Sequence, residues 1–263
     1  IMDKKKILLL SDDLRMSSGV GTMSREFVLG TLQHYDWVQV GGAIKHPEEG
    51  KIVDMNESVR KELGIPDANL KIYPVSGYGT PELVRYMIAT EKVDAIVHYT
   101  DPRFWGWLYQ MEHEVRQNIP IFYYNIWDDL PYPRWNEPFY ESCDLIMNIS
   151  KQTVNIVDNV CRNKPRTDWD NTYIPHGINE KNFYPINELN VKEWGDLLNF
   201  KRNLTEGKKY DFVVFWNNRN IRRKMPGDIV LAYKTFCDML PKEKSDKCAL
   251  IMHTQPRDEN GKI

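Results

Sequence analysis

The chain has 263 residues, 41% hydrophobic, 12% aromatic and 27% charged, with a formal net charge of −2. This is the composition of a folded chain with ample core-forming residues, and its charge balance gives no global reason to expect nucleic acid or an anionic membrane as partner. Four cysteines (Cys143, Cys161, Cys237, Cys248) lack CxxC spacing and clustered histidines, which argues against zinc and a disulfide framework and for a reducing, cytoplasmic setting. No apolar run approaches the ~18–20 residues of a membrane span. The run at 7–10 behind three lysines is too short for a secretory signal and reads as a first buried strand.

That strand, 6–10, leads into SDDLRMSSGVGTMSREF. Ser17, Ser18, Gly19 and Gly21 predict a flexible loop, after which Met23, Phe27, Val28 and Leu32 can line one helix face. A strand, a glycine loop and a helix start suit close approach of an anion, although SGVG is no dinucleotide fingerprint and a plain surface loop is the other reading. Asp12 and Asp13 are adjacent, so in a strand they face opposite sides and form no metal pair.

Further strands are expected at 38–44, 70–75, 93–99, 120–126, 144–149 and 173–175. Helices are expected at 59–63, from Pro81 to about 91 behind a Thr80 cap, at 105–118, at 138–143, and from a Ser150 cap to about 160. Residues 162–172 read as a turn-rich linker. This alternation predicts an α/β fold with a doubly wound, mostly parallel sheet, Rossmann-like, whose ligands sit at the carboxyl ends of the strands. The polar groups expected at those ends are Gly19 and Gly21, His98 and Asp101, Asp128 and Asp129, and Asn217 to Arg219.

Residues 186–209 are polar and helix-prone and read as a linker between a first domain, 1–185, and a second that starts at 210. The second opens with FVVFWNNRNIRRKMPGD, which reads as a buried strand, two amides, four cations in six residues and a helix led by Pro226. A strand, a basic loop and a helix N-terminus together hold anions in α/β proteins, and a solvated basic turn is the alternative. Residues 210–263 offer one strand, one helix and one strand, which is little for an α/β domain, so the second domain reads as truncated.

Several stretches resemble the retaining glycosyltransferases of group 1 (family 4), which have two Rossmann-like domains in the GT-B arrangement. SSGVG (17–21) is similar to the family's first glycine loop, CDLIMNISKQTVNIV (143–157) to its strand, Ser and helix, and YIPHGINEKNFYP (173–185) to its hinge motif. His176 stands where Asn is commoner, and Asn179 where Asp is commoner. Arg219 and Lys224 have the separation of the pair that clamps the donor diphosphate, while Asn217, Asn218 and Met225 replace glycines of that motif.

The resemblance implies transfer of a sugar from a nucleotide-diphosphate sugar, with retention, without a metal or other cofactor, to a carbohydrate, lipid or protein acceptor. Peripheral membrane contact is compatible with it. It implies catalytic roles for Arg219 and Lys224, and for Asp128 where the family often carries His. Donor contacts fall to Gly19, Gly21, Asn217, Asn218, Arg223, His176 and Gly177, and acceptor contacts to His98, Asp101 and Trp135. The family's paired glutamates would come after residue 263. From the residues alone, His98 is equally a core histidine, Trp105, Trp107, Tyr132 and Trp135 are either sugar platforms or core, and Asp101 with Asp128 admits a hydrolase-like carboxylate pair. A non-catalytic binding remnant, and an epimerase or phosphorylase on a similar scaffold, are the alternatives in function.

Overall fold

The computed structural model describes residues 4–44, 47–162 and 170–257. The chain divides into two compact units, Ile1–Asn182 and Phe183–Ile263.

The first unit is built on eight strands: β1 (Lys5–Asp12), β2 (Tyr35–Ile44), β3 (Val53–Asp54), β4 (Leu70–Ser76), β5 (Ala95–Tyr99), β6 (Ile121–Asn125), β7 (Leu145–Asn148) and β8 (Asp170–Tyr173). Their order across the sheet is β3-β4-β2-β1-β5-β6-β7-β8, and every pair is parallel except β3 with β4. Between the strands run α1 (Gly19–Thr31), α2 (Asn56–Leu63), α3 (Pro81–Glu91), α4 (Gly106–Gln110), α5 (Glu112–Val115), α6 (Glu137–Glu141) and α7 (Lys151–Val160).

Alternate residues of each strand feed opposite faces of the sheet. Ile7, Leu9, Trp37 and Val97 pack with Val28 of α1 and Val59 of α2. Leu8, Leu10, Val40 and Ile96 pack with Val84 of α3, Tyr140 of α6 and Ile156 of α7. Two apolar layers, one on each face, make the sheet doubly wound, as the alternation of elements predicts. Helix starts follow their caps: Ser18, Thr80 and Ser150 each accept a backbone N–H from the first turn, and Pro81 opens α3.

Three expectations are corrected. The helix expected at 105–118 is a 3-10 turn (Pro102–Trp105) followed by α4 and α5, interrupted at Met111. Trp105, Leu108, Tyr109 and Met111 are all buried, and the break falls at Met111, whose backbone (φ −102°, ψ 11°) leaves the helical region. The linker expected at 162–172 ends in β8, which starts at Asp170; residues 163–169 of it lie outside the described residues. The loop expected at Gly19 and Gly21 is the first turn of α1.

The second unit holds α8 (Val191–Leu204), β9 (Phe212–Asn217), α9 (Pro226–Asp238), α10 (Lys242–Ser245) and β10 (Cys248–His253). β9 and β10 pair in parallel around α9, a βαβ unit. Both strands and α9 lie where their apolar runs predict, although β9, expected as buried, leaves Phe212, Val213 and Phe215 exposed and buries Trp216, while α10 carries no such run.

Candidate functional site

In the first unit, successive strands step from β1 through β2 to β4, and then the chain returns to the other side of β1 to form β5. The order reverses between β1 and β5, and crevices at such reversals, beyond the carboxyl ends of the strands, are where open α/β sheets bind ligands. Asp12 ends β1 there, and Tyr99 ends β5.

A buried polar network shapes the end of β1. Gln39 Nε2 donates to Ser11 Oγ (2.8 Å) and to the Asp12 carbonyl (2.9 Å), while its Oε1 accepts from Leu14 N. Ser24 of α1 donates to Ser11 Oγ at 3.0 Å. The two adjacent acids diverge. Asp13 is fully buried and paired with Arg15 at 2.8 Å. Asp12 accepts from Ser18 Oγ through Oδ2 at 3.2 Å, and its buried Oδ1 has no hydrogen-bond partner among the described residues. Burial raises the Asp12 carboxyl pKa above its ordinary value, and the Ser18 hydrogen bond offsets part of this. Sequence reasoning weighed Asp12 only as a metal ligand; its position, last in the first strand and ahead of a capped helix, is the signal that singles it out.

Gly21 and Gly19 separate in role. A Cβ on Gly21 would meet Met16 O at 2.7 Å and Asp13 O at 2.9 Å, so this glycine lets α1 dock against the turn after β1. Gly19 faces open space.

His176 lies edge-on to Tyr99 and Tyr124, with ring centroids 5.9 and 5.3 Å away, and its Nε2 is 3.5 Å from the Tyr99 hydroxyl. Burial lowers the His176 pKa, which keeps the ring neutral at pH 7. Gly177 is exposed beside it. Asn179 Nδ2 donates to both carboxylate oxygens of Glu26 on α1 (3.1 and 3.2 Å), a bond that the commoner aspartate could not make. A cleft of about 210 Å³, lined among others by Met23, Phe27, Tyr124, Ile174 and Asn179, lies under this segment.

The expected acceptor residues are scattered in character. His98 has no exposed surface; its Nδ1 is 2.7 Å from Tyr109 Oη and its ring stacks on Tyr123, so it is a core residue and meets no ligand in this conformation. Asp101 caps the 3-10 turn through Arg103 N, and both its oxygens accept from the Arg103 guanidinium. That partner makes it a poor member of a hydrolase-like pair with Asp128. Arg103 in turn lies over the Trp127 ring, 5.5 Å from its centroid. Trp135 is 56% exposed and edge-on to Trp127, whereas Trp105 is buried and Trp107 and Tyr132 pack against the core. Asp128 is exposed, and its carbonyl accepts from Gln152 Nε2 at 3.0 Å.

In the second unit the basic turn begins at the carboxyl end of β9. Asn217 Oδ1 is 3.0 Å from His253 Nδ1 at the end of β10, and Asn220 Nδ2 donates to the Gln255 carbonyl at 3.1 Å. These two bonds tie the turn to the neighbouring strand end. Asn218 and Lys224 are half-buried, and Arg219 and Arg223 are exposed. Residues Arg222–Lys224 form a 3-10 turn, and Met225 then takes a left-handed conformation (φ 48°) immediately before α9. The left-handed region costs an L-residue ~1–2 kcal/mol. A glycine would take this conformation without that cost.

Among the described residues no group of three or more His, Cys, Asp and Glu gathers in metal-binding geometry, and no helix is long and apolar enough to cross a membrane.

No family model and no curated protein matches the sequence. Solved structures do match. HepE of Anabaena, in complex with UDP and glucose, is 10% identical with a TM-score of 0.56, over 95% of this chain and 62% of that one. A UDP-forming α,α-trehalose-phosphate synthase of Burkholderia vietnamiensis is 12% identical with a TM-score of 0.56, over 99% and 66%. A glycosyltransferase of Rickettsia africae is 10% identical with a TM-score of 0.52, over 95% and 69%. The chain thus spans less than two thirds of the length of the HepE chain. At these identities the likeness is one of fold: a Rossmann-like α/β architecture with a large parallel sheet, shared with glycosyltransferases of the GT-B kind.

Proposed function

We propose that this chain serves transfer of a sugar from a nucleoside-diphosphate sugar to a hydroxyl-bearing acceptor, with retention and without a metal. The observation that carries this reading is the basic turn 217–224 at the carboxyl end of β9, tied to the end of β10 and followed by the N-terminus of α9. That position concentrates cations and helix N–H groups where an α/β unit takes phosphate. The fold likeness to proteins that carry UDP or form it supports the same ligand.

As the glycosidic bond breaks, negative charge develops on the leaving diphosphate. Arg219 would meet it with a bidentate fork and Lys224 with a point charge, and fixed donors of this kind are worth ~3–4 kcal/mol each in transition states. The cationic pair does the charge neutralisation that a divalent ion does elsewhere. Asn218 and Arg223 would line the same ligand, and Asp128 and Trp135 the acceptor in the first unit. The acceptor is a carbohydrate, lipid or protein hydroxyl.

Calorimetry with UDP and GDP tests the donor half. One of the two should bind, and Arg219→Ala and Lys224→Ala should each weaken it by about tenfold or more. Equal affinity in both variants, or no binding of either nucleotide by the unsubstituted chain, sinks the assignment.

A further inference from the structure

The second unit leaves one face of its sheet open. Phe212 of β9 meets Phe236 of α9, with ring centroids 5.5 Å apart, so β9 turns its even-numbered side chains toward α9. Val213 and Phe215 then point away from that helix, and Ile251 of β10 stands in register with Phe215 on the same side. These three line a cavity of about 1190 Å³ together with Leu197, Phe200 and Leu204 of α8. Spacings of three and four place those α8 residues on one helix face. Val213, Phe215, Phe200 and Leu204 are exposed. Parallel sheets ordinarily have both faces covered, and an exposed apolar surface with a polar rim marks a binding site.

The charge around this cavity is one-sided. Its cations are Lys201 and Arg202 in the last turn of α8, and Lys208 and Lys209 in the segment that leads into β9. All four are exposed, and none forms an ion pair among the described residues. Asp211, the acid in the lining, is 3.3 Å from Lys247. Residues 205–211 join the end of α8 to the start of β9, so the four cations gather at the end of the cavity where that connection lies. The other end, toward Leu197 and Ile251, carries His253 as its ionisable group. An acidic helix laid in a groove would meet cations along its length, and a small anion would make no use of the apolar walls. Apolar walls with cations at one end fit a molecule that has a long apolar chain and an anionic head.

We infer that this cavity binds a free single-chain anionic amphiphile, a long-chain carboxylate. Its chain lies between α8 and the open face of β9 and β10, and its head group lies among Lys201, Arg202, Lys208 and Lys209. Burying the chain covers exposed apolar side chains on both walls, and the drive grows with each methylene removed from water. The head group makes charge-assisted hydrogen bonds to the cations. The cavity is larger than the ~300–1,000 Å³ of most small-ligand sites, which suits a long flexible chain. The site is independent of the proposed sugar transfer, because its cations are not those of the basic turn.

Calorimetry of the chain with decanoate, dodecanoate, dodecyl maltoside and dodecyltrimethylammonium, each below its micelle-forming concentration, tests it. Dodecanoate should bind saturably, about tenfold tighter than decanoate for its two added methylenes. The neutral and cationic dodecyl compounds should bind about tenfold more weakly or less. Lys208→Glu combined with Lys209→Glu should weaken dodecanoate by about tenfold or more and remove its advantage over dodecyl maltoside, while Phe215→Ser should weaken both. Met239→Ser, at an exposed position outside the cavity, should change neither. The substituted positions are exposed, so retained folding is expected and is checked by circular dichroism. Failure of dodecanoate to bind, equal affinity for the cationic dodecyl compound, or unchanged affinity in both cavity variants overturns the inference. So does binding to phosphatidylglycerol vesicles without a saturable dodecanoate site, which would make this face a membrane surface. Dimers in sedimentation velocity that Phe215→Ser dissociates, again without a dodecanoate site, would give the face to a second copy and overturn it too. UDP binding is read separately: its absence with dodecanoate binding intact defeats the donor assignment and leaves this site standing.

Discussion

The His98 imidazole is enclosed by Trp105, Tyr109 and Tyr123, and burial holds its pKa down to about 3, with Asp101 opposing only in part. An unfolded chain returns it to its ordinary value near 6.5. Between those two values the unfolded state binds the extra proton, so stability rises with pH and is lost as pH falls from 6.5 toward 3, by ~1.4 kcal/mol per unit for one proton. Urea midpoints measured across this window should fall less steeply in His98→Gln than in the unsubstituted chain, whatever the offset between them at pH 7. Parallel slopes would remove His98 from the acid limb. The same residue marks a limit of sequence reading. VDAIVHYT puts a histidine at a strand end, where ligands bind, but whether the ring turns outward or inward depends on Trp105 and Tyr123, one from a later turn and one from the neighbouring strand. Asp12 is the converse: an acid set aside as one of a mismatched pair, whose buried oxygen without a hydrogen-bond partner among the described residues only the fold reveals.

At the level of elements, α1 was legible in outline. Met23, Phe27, Val28 and Leu32 recur at helical spacing, and the structure puts them on the sheet-facing side. Its start was displaced because glycines at 19 and 21 read as loop residues, whereas Ser18 caps the helix directly before them. Gly21 is needed for contact with Asp13 and Met16 backbone, a reason that lies outside the helix. Gly21→Ala should therefore lower stability by ~1–3 kcal/mol as an overpacked contact. Gly19→Ala, in open space, should stay within ~1 kcal/mol of the unsubstituted chain and can gain from alanine's better helix propensity. Thermal melts of the two variants decide this, and a loss in Gly19→Ala as large as in Gly21→Ala would contradict the distinction. The basic turn before α9 shows the same mixture. Its strand, cations and Pro226 are plain in the sequence, while the left-handed Met225 and the bonds from Asn217 and Asn220 to the next strand end come from the fold.

Over the whole molecule the two units differ in how much apolar surface they bury. Both core layers belong to Ile1–Asn182, and in the second unit Trp216 is the buried hydrophobic residue among those described. Phe215, Leu231 and Met239 there remain 63%, 65% and 81% exposed. Burial of apolar side chains supplies ~1.5–3 kcal/mol each, so the second unit has far less to resist local opening. Hydrogen exchange on the chain should show amides of β1, β2 and β5 exchanging much more slowly than those of β9 and β10. Comparable protection in both would mean that the second unit is stabilised by something other than its own core.

Periodicity, caps and turn residues are local, and they were enough to read the alternating strands and helices, the parallel sheet and the basic strand-end turn from residues close in sequence. The strand order, with its reversal between β1 and β5, arises from contacts between residues tens of positions apart, such as Leu10 with Val40 and His98. No local pattern encodes those partners. For that reason the fold class and the cations of the basic turn after β9 were visible in the chain, whereas the burial of His98, the pairing of Asp101 with Arg103 and the unpartnered oxygen of Asp12 emerged when distant segments packed together.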